Sequence, residues 1–585
     1  MTVTIDALDP VVAARQWLAD LDAALRLGKP DALVGLFAQD GSWRDIVALT
    51  WDIRSFGTGT LVHAARAALT ALVAGSLALR ADWPPALVTR GGRPVIEALF
   101  GFRTEAGRGE GVIRLVAEGG TCRAWTLLTA LAEIDVVPER VRSRRPSVAS
   151  FAEQFGSPNW LDRREAELRY GDREPAVLVV GGGQAGLSLA ARLRTLGIDT
   201  LLVERSARIG DNWRLRYHSL RLHNEVEANH LPHMPFPDTW PTYVSKDQMA
   251  GWLETYADAM EINAWTSTEF VQARRDTAGR WAVELRRGDG FSRVLHPRHI
   301  VMATGVSGTP RLPNLPGLCD FQGRVLHSSE FVDAKGYRGQ QAIVFGVGNS
   351  GSDIAQDLHA SGCAVTMVQR GSITVVSQNP GARVLYAMYQ QGYPLDICDL
   401  MSVASPSPAA MEGYRVMTQR VRELDRELIA GLDSIGFQTD YGADETGFAV
   451  KYFRTGGGHY LNVGCSELLI SGAIGLLKYA DVDRLVADGV RMRSGDIRRA
   501  SLLVLATGYE SLSAGVAEHF GNDVADEVGP VWGLDDEGEL RNVWRPTPVP
   551  GLWFHAGALQ HCRVFSKYLA LQIAAAETGF LPGHA

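Results

Sequence analysis

Residues 176–193, AVLVVGGGQAGLSLAARL, indicate the fold class of this chain. Val177–Val180 is a short apolar run rich in β-branched residues, which is typical of a parallel strand buried on both faces. Gly181, Gly183 and Gly186 then follow with G-x-G-x-x-G spacing. The first glycine permits a tight turn, the second lets a pyrophosphate approach the backbone, and the third lets a helix pack closely on the strand. The stretch therefore predicts a dinucleotide-binding unit whose helix N-terminus faces phosphate groups.

An acidic residue follows at the spacing expected for a ribose ligand. A second predicted strand, Thr200–Val203, ends at Glu204, about 20 residues beyond the glycines, where a carboxylate can accept hydrogen bonds from both ribose hydroxyls. We predict that Gln184 and Ala185 at the helix start, together with Arg205, also contact this nucleotide.

The sequence AIVFGVGNSGSDIAQDL at residues 342–358 repeats the pattern. The second strand of this repeat, Ala364–Gln369, ends at Arg370 instead of an acid. A carboxylate there would repel a 2′-phosphate, whereas a guanidinium can pair with it, so the second nucleotide is predicted to be NADPH. The other predicted contacts of this nucleotide are Gly346, Gly348, Asn349, Ser350 and Gly351.

Size and composition limit the function classes. A chain of 585 residues is too long for one hydrophobic core. Its net charge of -8 argues against a nucleic-acid partner, which needs clustered Lys and Arg. The six cysteines lack C-x-x-C spacing, so neither a metal site nor a redox dithiol is predicted. The start of the chain lacks signal-peptide features. The most apolar stretch predicted to be helical, residues 61–79, is interrupted by charge, so we expect a cytoplasmic protein without membrane association.

The first 135 residues have a different pattern. Helical periodicity followed by strand candidates predicts an α+β cone with a curled antiparallel sheet. This order, with DGSWRDIVALTWDIRSFG at residues 40–57, resembles the nuclear transport factor 2-like (SnoaL-like) domains. Some members of that superfamily are catalytic, so an acid/base set is one hypothesis, and a pocket-shaping or subunit-contact role is the alternative. The candidate acid/base residues are Asp40, Asp45, Asp52 and His63.

Further motifs accompany the two glycine turns. Residues 321–331, FQGRVLHSSEF, fit F-x-G-x-x-x-H-x-x-x-(F/Y) and contain His327. Ala-Thr-Gly follows an apolar strand twice, and these turns supply Thr304, Gly305, Thr507 and Gly508. Together with IGDNW at residues 209–213, this order resembles the flavin-containing monooxygenases, in particular their plant YUCCA-type and bacterial members.

The resemblance implies roles for several residues. It places FAD at the first glycine turn, against Gly210 and Trp213, and NADPH at the second. It also implies a catalytic side chain near the isoalloxazine and nicotinamide, but either His223 or Asn224 can fill that role. Gln560 is expected near the flavin ring. His327, the third catalytic candidate, is expected to tie the NADPH unit to the FAD unit and to help position the nicotinamide.

The resemblance also implies the reaction. We expect an FAD- and NADPH-dependent monooxygenase that inserts one oxygen atom of O2 into a small organic substrate through a C4a-hydroperoxyflavin. Phe331 stands where Baeyer-Villiger relatives usually carry Trp, which favours N- or S-oxygenation. Baeyer-Villiger or YUCCA-like decarboxylating oxygenation of a carbonyl is an alternative, and an NADPH-dependent flavoprotein reductase or oxidase is another. Whether the protein is a homodimer is left open.

The predicted architecture is α/β, with two Rossmann-like dinucleotide-binding domains after the α+β cone. The predicted boundaries are 1–135 for the cone, 136–174 for a linker, 175–330 for the first part of the FAD-binding domain, 331–500 for the NADPH-binding domain with a helical insertion at about 385–450, and 501–585 for the closing part of the FAD-binding domain.

Overall fold

The computed structural model describes residues 5–145, 156–277 and 279–581. Its N-terminal unit packs helices against one sheet. The elements are α1 (Pro10–Leu27), α2 (Pro30–Val34), α3 (Leu61–Ala71), β1 (Phe37–Ile46), β2 (Ile53–Phe56), β3 (Ala78–Leu79), β4 (Ala86–Arg90), β5 (Arg93–Arg103), β6 (Gly107–Glu118) and β7 (Thr121–Ile134). The strand order is β2-β1-β7-β6-β5-β3, with β4 beside β5. Most neighbours are antiparallel as expected, but β1 and β7 are parallel, since a long connection separates them.

The first glycine turn lies in a parallel sheet of order β10-β9-β8-β14-β25. Its elements, with an antiparallel excursion formed by β11, β12 and β13, are α4 (Trp160–Arg169), β8 (Val177–Val180), α5 (Gln184–Leu196), β9 (Thr200–Val203), α6 (Asp211–Arg214), α7 (Lys246–Ala259), β10 (Ala264–Trp265), β11 (Thr268–Arg275), β12 (Trp281–Arg287), β13 (Ser292–Leu295), β14 (His299–Met302) and β25 (Leu552–Phe554). The strands predicted at 177–180 and 200–203 are confirmed.

The second glycine turn lies in a similar parallel sheet of order β15-β24-β16-β17-β20. Its elements, again with a small antiparallel sheet, are β15 (Arg324–His327), β16 (Gln341–Phe345), α8 (Asn349–Ala360), β17 (Ala364–Gln369), β18 (Thr374–Ser377), β19 (His459–Asn462), α14 (Cys465–Ile470), β20 (Gly475–Lys478), β21 (Val482–Val486), β22 (Gly489–Met492), β23 (Ile497–Arg499) and β24 (Leu502–Leu505). The two units therefore share a central arrangement, in which the strand before an Ala-Thr-Gly turn, β14 or β24, lies beside the first strand of the glycine motif, β8 or β16.

Helices complete the molecule between and after these sheets. The helices are α9 (Arg383–Tyr386), α10 (Leu395–Ser402), α11 (Ser407–Leu424), α12 (Arg426–Ser434), α13 (Gly447–Thr455), α15 (Ala514–Phe520), α16 (Asn522–Val528) and α17 (Leu559–Glu577). The buried helix α17 packs against α5 and also contacts β7 of the N-terminal unit. The last helix thus joins the first unit to the first nucleotide-binding unit.

Two expectations about segments need correction. The apolar stretch at 61–79 is not one helix, because α3 ends at Ala71 and β3 follows. No helix in the ranges that the structure describes is long and apolar enough to cross a bilayer. The predicted linker contains α4, whose first turn is stabilised by a capping box between Asn159 and Asp162. Residues 146–155 of that linker lie outside the described residues.

Charged pairs hold the N-terminal unit against the closing segment of the chain. Arg545 Nε and Nη2 donate to the two carboxylate oxygens of Asp52 at 2.8 and 2.7 Å, and its Nη1 donates to Asp535 at 2.8 Å. The side chain of Arg545 is only 13% exposed. A second pair, between Arg54 and Glu537, joins the same segments but leaves the arginine 39% exposed.

We expect Arg545→Met to lower the free energy of unfolding by about 3 kcal/mol, because Asp52 and Asp535 would lose a largely buried cation while an unbranched apolar side chain still fills the place of the arginine stem. Arg54→Met is the matched control, with an expected loss of about 0–1 kcal/mol, since water screens its pair. Urea unfolding followed by tryptophan fluorescence measures both. Equal losses in the two variants would contradict this ranking.

Candidate functional site

A cavity of about 1940 Å³ is shared by both glycine turns. Its wall includes Gly181 and Gly183 of the first turn and Gly346 and Gly348 of the second. The helical insertion and the N-terminal sheet also contribute side chains. The cavity is therefore large enough for two nucleotides and a further small molecule.

The first turn needs glycine for steric reasons. A Cβ on Gly186 would lie 2.0 Å from the carbonyl oxygen of Gly181, and a Cβ on Gly181 would lie 2.6 Å from that of Ala303. Gly181 also has a φ of +114°, which glycine adopts at little cost. Strand, turn and helix therefore approach so closely that a side chain at either position would push them apart.

Glu204 lies beside this turn, at the end of β9. Its Oε2 accepts from the N–H of Gly182 at 2.7 Å, and its Oε1 accepts from the N–H of Ser206 at 2.8 Å. Glu204 and Arg205 both line the cavity. The carboxylate is thus fixed at the cavity wall, in the place where the sequence predicts a ribose ligand.

The starts of the two nucleotide-binding helices fit phosphate groups. α5 follows Gly183 and α8 follows Gly348, both in extended conformation, and no side chain in the described part of the chain caps either helix. Their first N–H groups are therefore free to donate, and the helix dipole favours an anion there. Ala185 and Ser350, in the first turns, also line the cavity. These features fit the pyrophosphates of FAD and NADPH.

The second turn repeats the close approach. A Cβ on Gly351 would lie 2.3 Å from the carbonyl oxygen of Gly346. Asn349, predicted as a nucleotide ligand, uses its Oδ1 to accept from Leu461 N at 2.8 Å, so its side chain ties α8 to β19. Arg370 is exposed at the cavity wall after β17, and it forms no ion pair with any residue that the structure describes. Its guanidinium is available to an anion.

The twin Ala-Thr-Gly turns lie beside the two glycine turns. Thr304, Gly305, Thr507 and Gly508 all line the cavity. The hydroxyl of Thr507 donates to the Arg311 carbonyl at 2.7 Å. Since residue 311 follows the first Ala-Thr-Gly turn, this contact ties the second turn to the chain leaving the first.

Gly210, Trp213 and Gln184 connect three segments around the first turn. Gly210 has a φ of +88°, and a Cβ there would lie 2.3 Å from the Ala250 carbonyl oxygen. Trp213 Nε1 donates to Gln184 Oε1 at 3.3 Å, and Gln184 Nε2 lies 3.5 Å from the carbonyl oxygen of Gly557. Helix α6 is thereby held against the start of α5 and the loop before α17.

His223 and Asn224 both line the cavity. His223 Nε2 lies 3.3 Å from Asp353 Oδ2, which also accepts from the Tyr217 hydroxyl at 2.7 Å. Asp353 Oδ1 is buried without a hydrogen-bond partner among the described residues. The side chain of Asn224 lies close to Tyr386 of the insertion. Both residues therefore contact the cavity, and either one can be the side chain near the isoalloxazine and nicotinamide.

His327 lies beside the second Ala-Thr-Gly turn and outside the described cavity wall. Its Nε2 is 3.1 Å from the Gly508 carbonyl oxygen and its Nδ1 is 2.8 Å from Ser329 Oγ, and its side chain does not belong to the described cavity wall. Burial lowers the pKa of His327. This geometry suits a residue that positions the second Ala-Thr-Gly turn, and it gives no support to direct acid/base chemistry.

Gln560 lies on α17 at the cavity wall. Its Nε2 donates to the hydroxyl of Tyr389 at 2.9 Å, and that hydroxyl donates to Asp399 Oδ1 at 2.9 Å. The buried Arg563 closes the network by a bidentate pair with Asp399 at 2.8 and 2.7 Å. The insertion is thus attached to the helix that carries the predicted flavin contact.

Sequence reasoning missed several cavity residues. Burial lowers the pKa of His459 and of His561 to about 4, so both rings are neutral near pH 7. Both line the cavity, near Tyr452. Two features of the sequence could have pointed to such residues: His459 directly follows the glycine run at 456–458, and Asp353 lies within the glycine motif at residues 342–358.

In the ranges that the structure describes, no group of three or more His, Cys, Asp or Glu is arranged to hold a metal.

The acidic candidates of the N-terminal unit do not form a site. Asp40 pairs with Arg93 at 2.8 Å and Asp52 with Arg545, while His63 is exposed. Asp45 is buried and accepts from Leu49, Thr50 and Thr129, and burial raises its pKa to about 6. None of the four belongs to the described cavity wall. These contacts give no support to an acid/base role for the four residues as a group.

Comparisons with known proteins bear on the two glycine turns. A family model described as pyridine nucleotide-disulphide oxidoreductase matches residues 178–390. The indole-3-pyruvate monooxygenase YUCCA1 of Oryza sativa subsp. japonica is 30% identical over 400 residues, which cover 67% of this chain and 87% of the relative. The probable indole-3-pyruvate monooxygenase YUCCA9 of Arabidopsis thaliana is 27% identical over 384 residues, or 64% of this chain and 81% of the relative.

Solved structures are also similar over part of the chain. A flavin-containing monooxygenase from Stenotrophomonas maltophilia aligns with a TM-score of 0.48 and 18% identity, over 68% of this chain and 98% of that one. A cyclohexanone monooxygenase from Rhodococcus sp. Phi1 bound to NADP+ aligns with a TM-score of 0.49 and 16% identity, over 69% of this chain and 85% of that one.

Proposed function

Since this chain belongs to the flavin-dependent monooxygenase family that includes the YUCCA proteins, we propose that it transfers one oxygen atom of O2 to a small organic substrate in the cavity shared by its two glycine turns. The protein is a flavin-dependent monooxygenase whose cofactors are FAD and NADPH. The observation that carries the proposal is that two uncapped helix starts, α5 and α8, open onto the same cavity. Two nucleotides bound at these helix starts would share one cavity.

The chain's own residues hold and orient the cofactors in this proposal. Glu204 would accept hydrogen bonds from the FAD ribose, and Arg370 would pair with the 2′-phosphate of NADPH. When bound, the cofactors supply the redox chemistry, in which substrate, O2, NADPH and a proton give oxygenated substrate, water and NADP+. Burial keeps His459 and His561 neutral, so these two residues add no charge to the cavity wall.

Two kinds of substrate atom are candidates to receive the oxygen, a heteroatom and a carbonyl carbon. Phe331 in the 321–331 motif supports transfer to nitrogen or sulfur, as expected from the sequence. The second candidate is oxygenation of a carbonyl substrate, and the observation that favours it is the name of the most extensively aligned relative described above, an indole-3-pyruvate monooxygenase. We propose heteroatom oxygenation first and carbonyl oxygenation as the alternative.

The test uses the FAD-loaded enzyme with NADPH and 18O2. Thioanisole and N,N-dimethylbenzylamine represent the heteroatom class, and phenylpyruvate and phenylacetone represent the carbonyl class. We expect one 18O atom in the product for each NADPH consumed with compounds of one class. If, with every compound, each NADPH oxidised is matched by one hydrogen peroxide formed from O2 and no oxygenated product appears, the reductase or oxidase alternative replaces the proposal.

A further inference from the structure

Two arginines of the N-terminal sheet line the cavity and share one carboxylate. Arg90, the last residue of β4, donates from Nε and Nη2 to Glu97 at 2.8 and 2.6 Å. Arg114 on β6 lies directly across from Glu97 on β5, and its Nε donates to Glu97 Oε2 at 2.8 Å. We call Arg90 and Arg114 the N-terminal arginine pair.

The N-terminal arginine pair leaves an excess positive charge at the cavity wall. Both guanidiniums line the cavity, whereas Glu97 lies behind them and is not part of the described wall. The neighbouring Arg44 pairs with Glu539 at 2.6 Å, so that pair is neutral. Two arginines against one Glu97 therefore amount to one uncompensated cation. Such a charge is costly to bury unless an anion joins it.

Arg114 is placed to receive that anion. Its side chain is 3% exposed, and its Nη1 donates to Ser405 Oγ at 2.7 Å. No hydrogen bond within the described part of the chain uses its Nη2. Burial lowers the pKa of Arg114, yet a guanidinium stays charged in proteins. The free Nη2 is thus a charged donor at the cavity wall, and a hydrogen bond from it to an anion would be charge-assisted.

An apolar surface adjoins this donor. Trp125 on β7 also lines the cavity, and it clusters with the buried Val95 and with Ala409 of α11. An apolar residue and a charged donor at one wall suit a molecule that carries an anionic group on an apolar body. The phosphates of the two nucleotides are already matched by the starts of α5 and α8 and by Arg370, so the N-terminal arginine pair is left for another ligand.

We propose that Arg114, together with Arg90 on the shared Glu97 carboxylate, binds the carboxylate of a small organic acid whose apolar body packs against Trp125. This inference rests on the proposed function, because the organic acid is the substrate to be oxygenated. It also assigns a substrate-binding role to the N-terminal unit, outside the two nucleotide-binding units.

The test compares an acid with its neutral analogue. Calorimetric titration of the FAD- and NADP+-loaded enzyme gives the Kd values of phenylacetate and phenylacetamide. We expect the acid to bind about tenfold or more tightly, because only the acid gains a charge-assisted hydrogen bond. Arg114→Gln removes this preference but leaves the neutral Arg90–Glu97 pair, so the fold is preserved. Arg114→Lys retains the charge and restores part of the preference.

Arg93→Gln is the matched control. Arg93 lies on the same sheet, stacks on Trp125 at 4.9 Å and does not belong to the described cavity wall, so the preference for the acid persists in this variant. The KM for NADPH and the competition by inorganic phosphate separate a substrate site from a nucleotide site. If Arg114→Gln raises the KM for NADPH as strongly as it weakens phenylacetate binding, the ligand is a nucleotide phosphate and the inference fails.

The outcomes also separate this inference from the proposed function. Oxygenation of thioanisole without any preference for phenylacetate over phenylacetamide overturns the inference and leaves the monooxygenase proposal standing. An Arg114-dependent preference, in an enzyme that leaves every tested compound unchanged and reduces O2 with NADPH to hydrogen peroxide, supports the acid site and overturns the oxygen-transfer proposal.

Discussion

Gly186→Ala is expected to purify without FAD and to lose its monooxygenase turnover by about 100-fold or more. The added Cβ would lie 2.0 Å from the Gly181 carbonyl oxygen, and the backbone there is fixed by β8 and α5. Relief requires the helix start to move away from the strand, at a cost of about 1–3 kcal/mol, which also misdirects the N–H groups that face the pyrophosphate. The FAD content, read from the ratio of flavin to protein absorbance, measures the effect.

Gly351→Ala provides the internal comparison, because its Cβ would lie 2.3 Å from the Gly346 carbonyl oxygen in the second turn. This variant is expected to keep FAD and to raise the KM for NADPH by about tenfold or more. Gly251→Ala is the control, since a Cβ on that helical glycine meets nothing within 4 Å. Loss of FAD in Gly351→Ala, with FAD retained in Gly186→Ala, would reverse the assignment of the two turns.

Arg370→Glu is expected to reverse the preference for NADPH over NADH. The wild-type guanidinium is exposed at the cavity wall without an ion pair among the described residues, so a 2′-phosphate can pair with it. A carboxylate at the same place would repel that phosphate and accept hydrogen bonds from a free ribose hydroxyl. The variant loses a charge-assisted pair with NADPH and gains a repulsion. The ratio of kcat/KM for NADPH to kcat/KM for NADH should therefore fall by about 100-fold or more.

The control for this prediction is Arg498→Glu. Arg498 is an exposed arginine on β23, it does not belong to the described cavity wall, and the substitution changes the net charge equally. The coenzyme ratio should stay within about twofold in this variant, because exposed charges at that distance are screened by salt. An equal shift in both variants would assign the effect to net charge and would remove Arg370 from the coenzyme site.

Local patterns predicted the two nucleotide-binding units well. The strand predicted at Val177–Val180 is β8, and the strand predicted at Ala364–Gln369 is β17. Both rest on short-range rules, since apolar β-branched runs favour strands and a glycine spacing reflects steric contacts within one turn. The same rules missed α4, because its residues are polar and its stability comes from a capping box and contacts to distant residues such as Glu261.

The candidate site depends on contacts between distant residues, which such local rules do not predict. His223 was predicted at the cavity, but its contact with Asp353 joins residues 130 positions apart in the chain. Asp52 was one of the candidate acids, but it pairs with Arg545, 493 positions away. Residue type and spacing show that these side chains are polar; they do not show which segment lies opposite.

The amino-acid sequence alone was sufficient to identify two strand-turn-helix units, their order and the different residues, Glu204 and Arg370, that end their second strands. These are local properties, because sterics within a turn and the polarity of a helix start do not depend on the rest of the molecule. Only the tertiary structure brought Arg90, Arg114 and Trp125 of the N-terminal sheet to the wall of the shared cavity. That wall depends on packing between segments remote in sequence, for which burial and shape decide the partner.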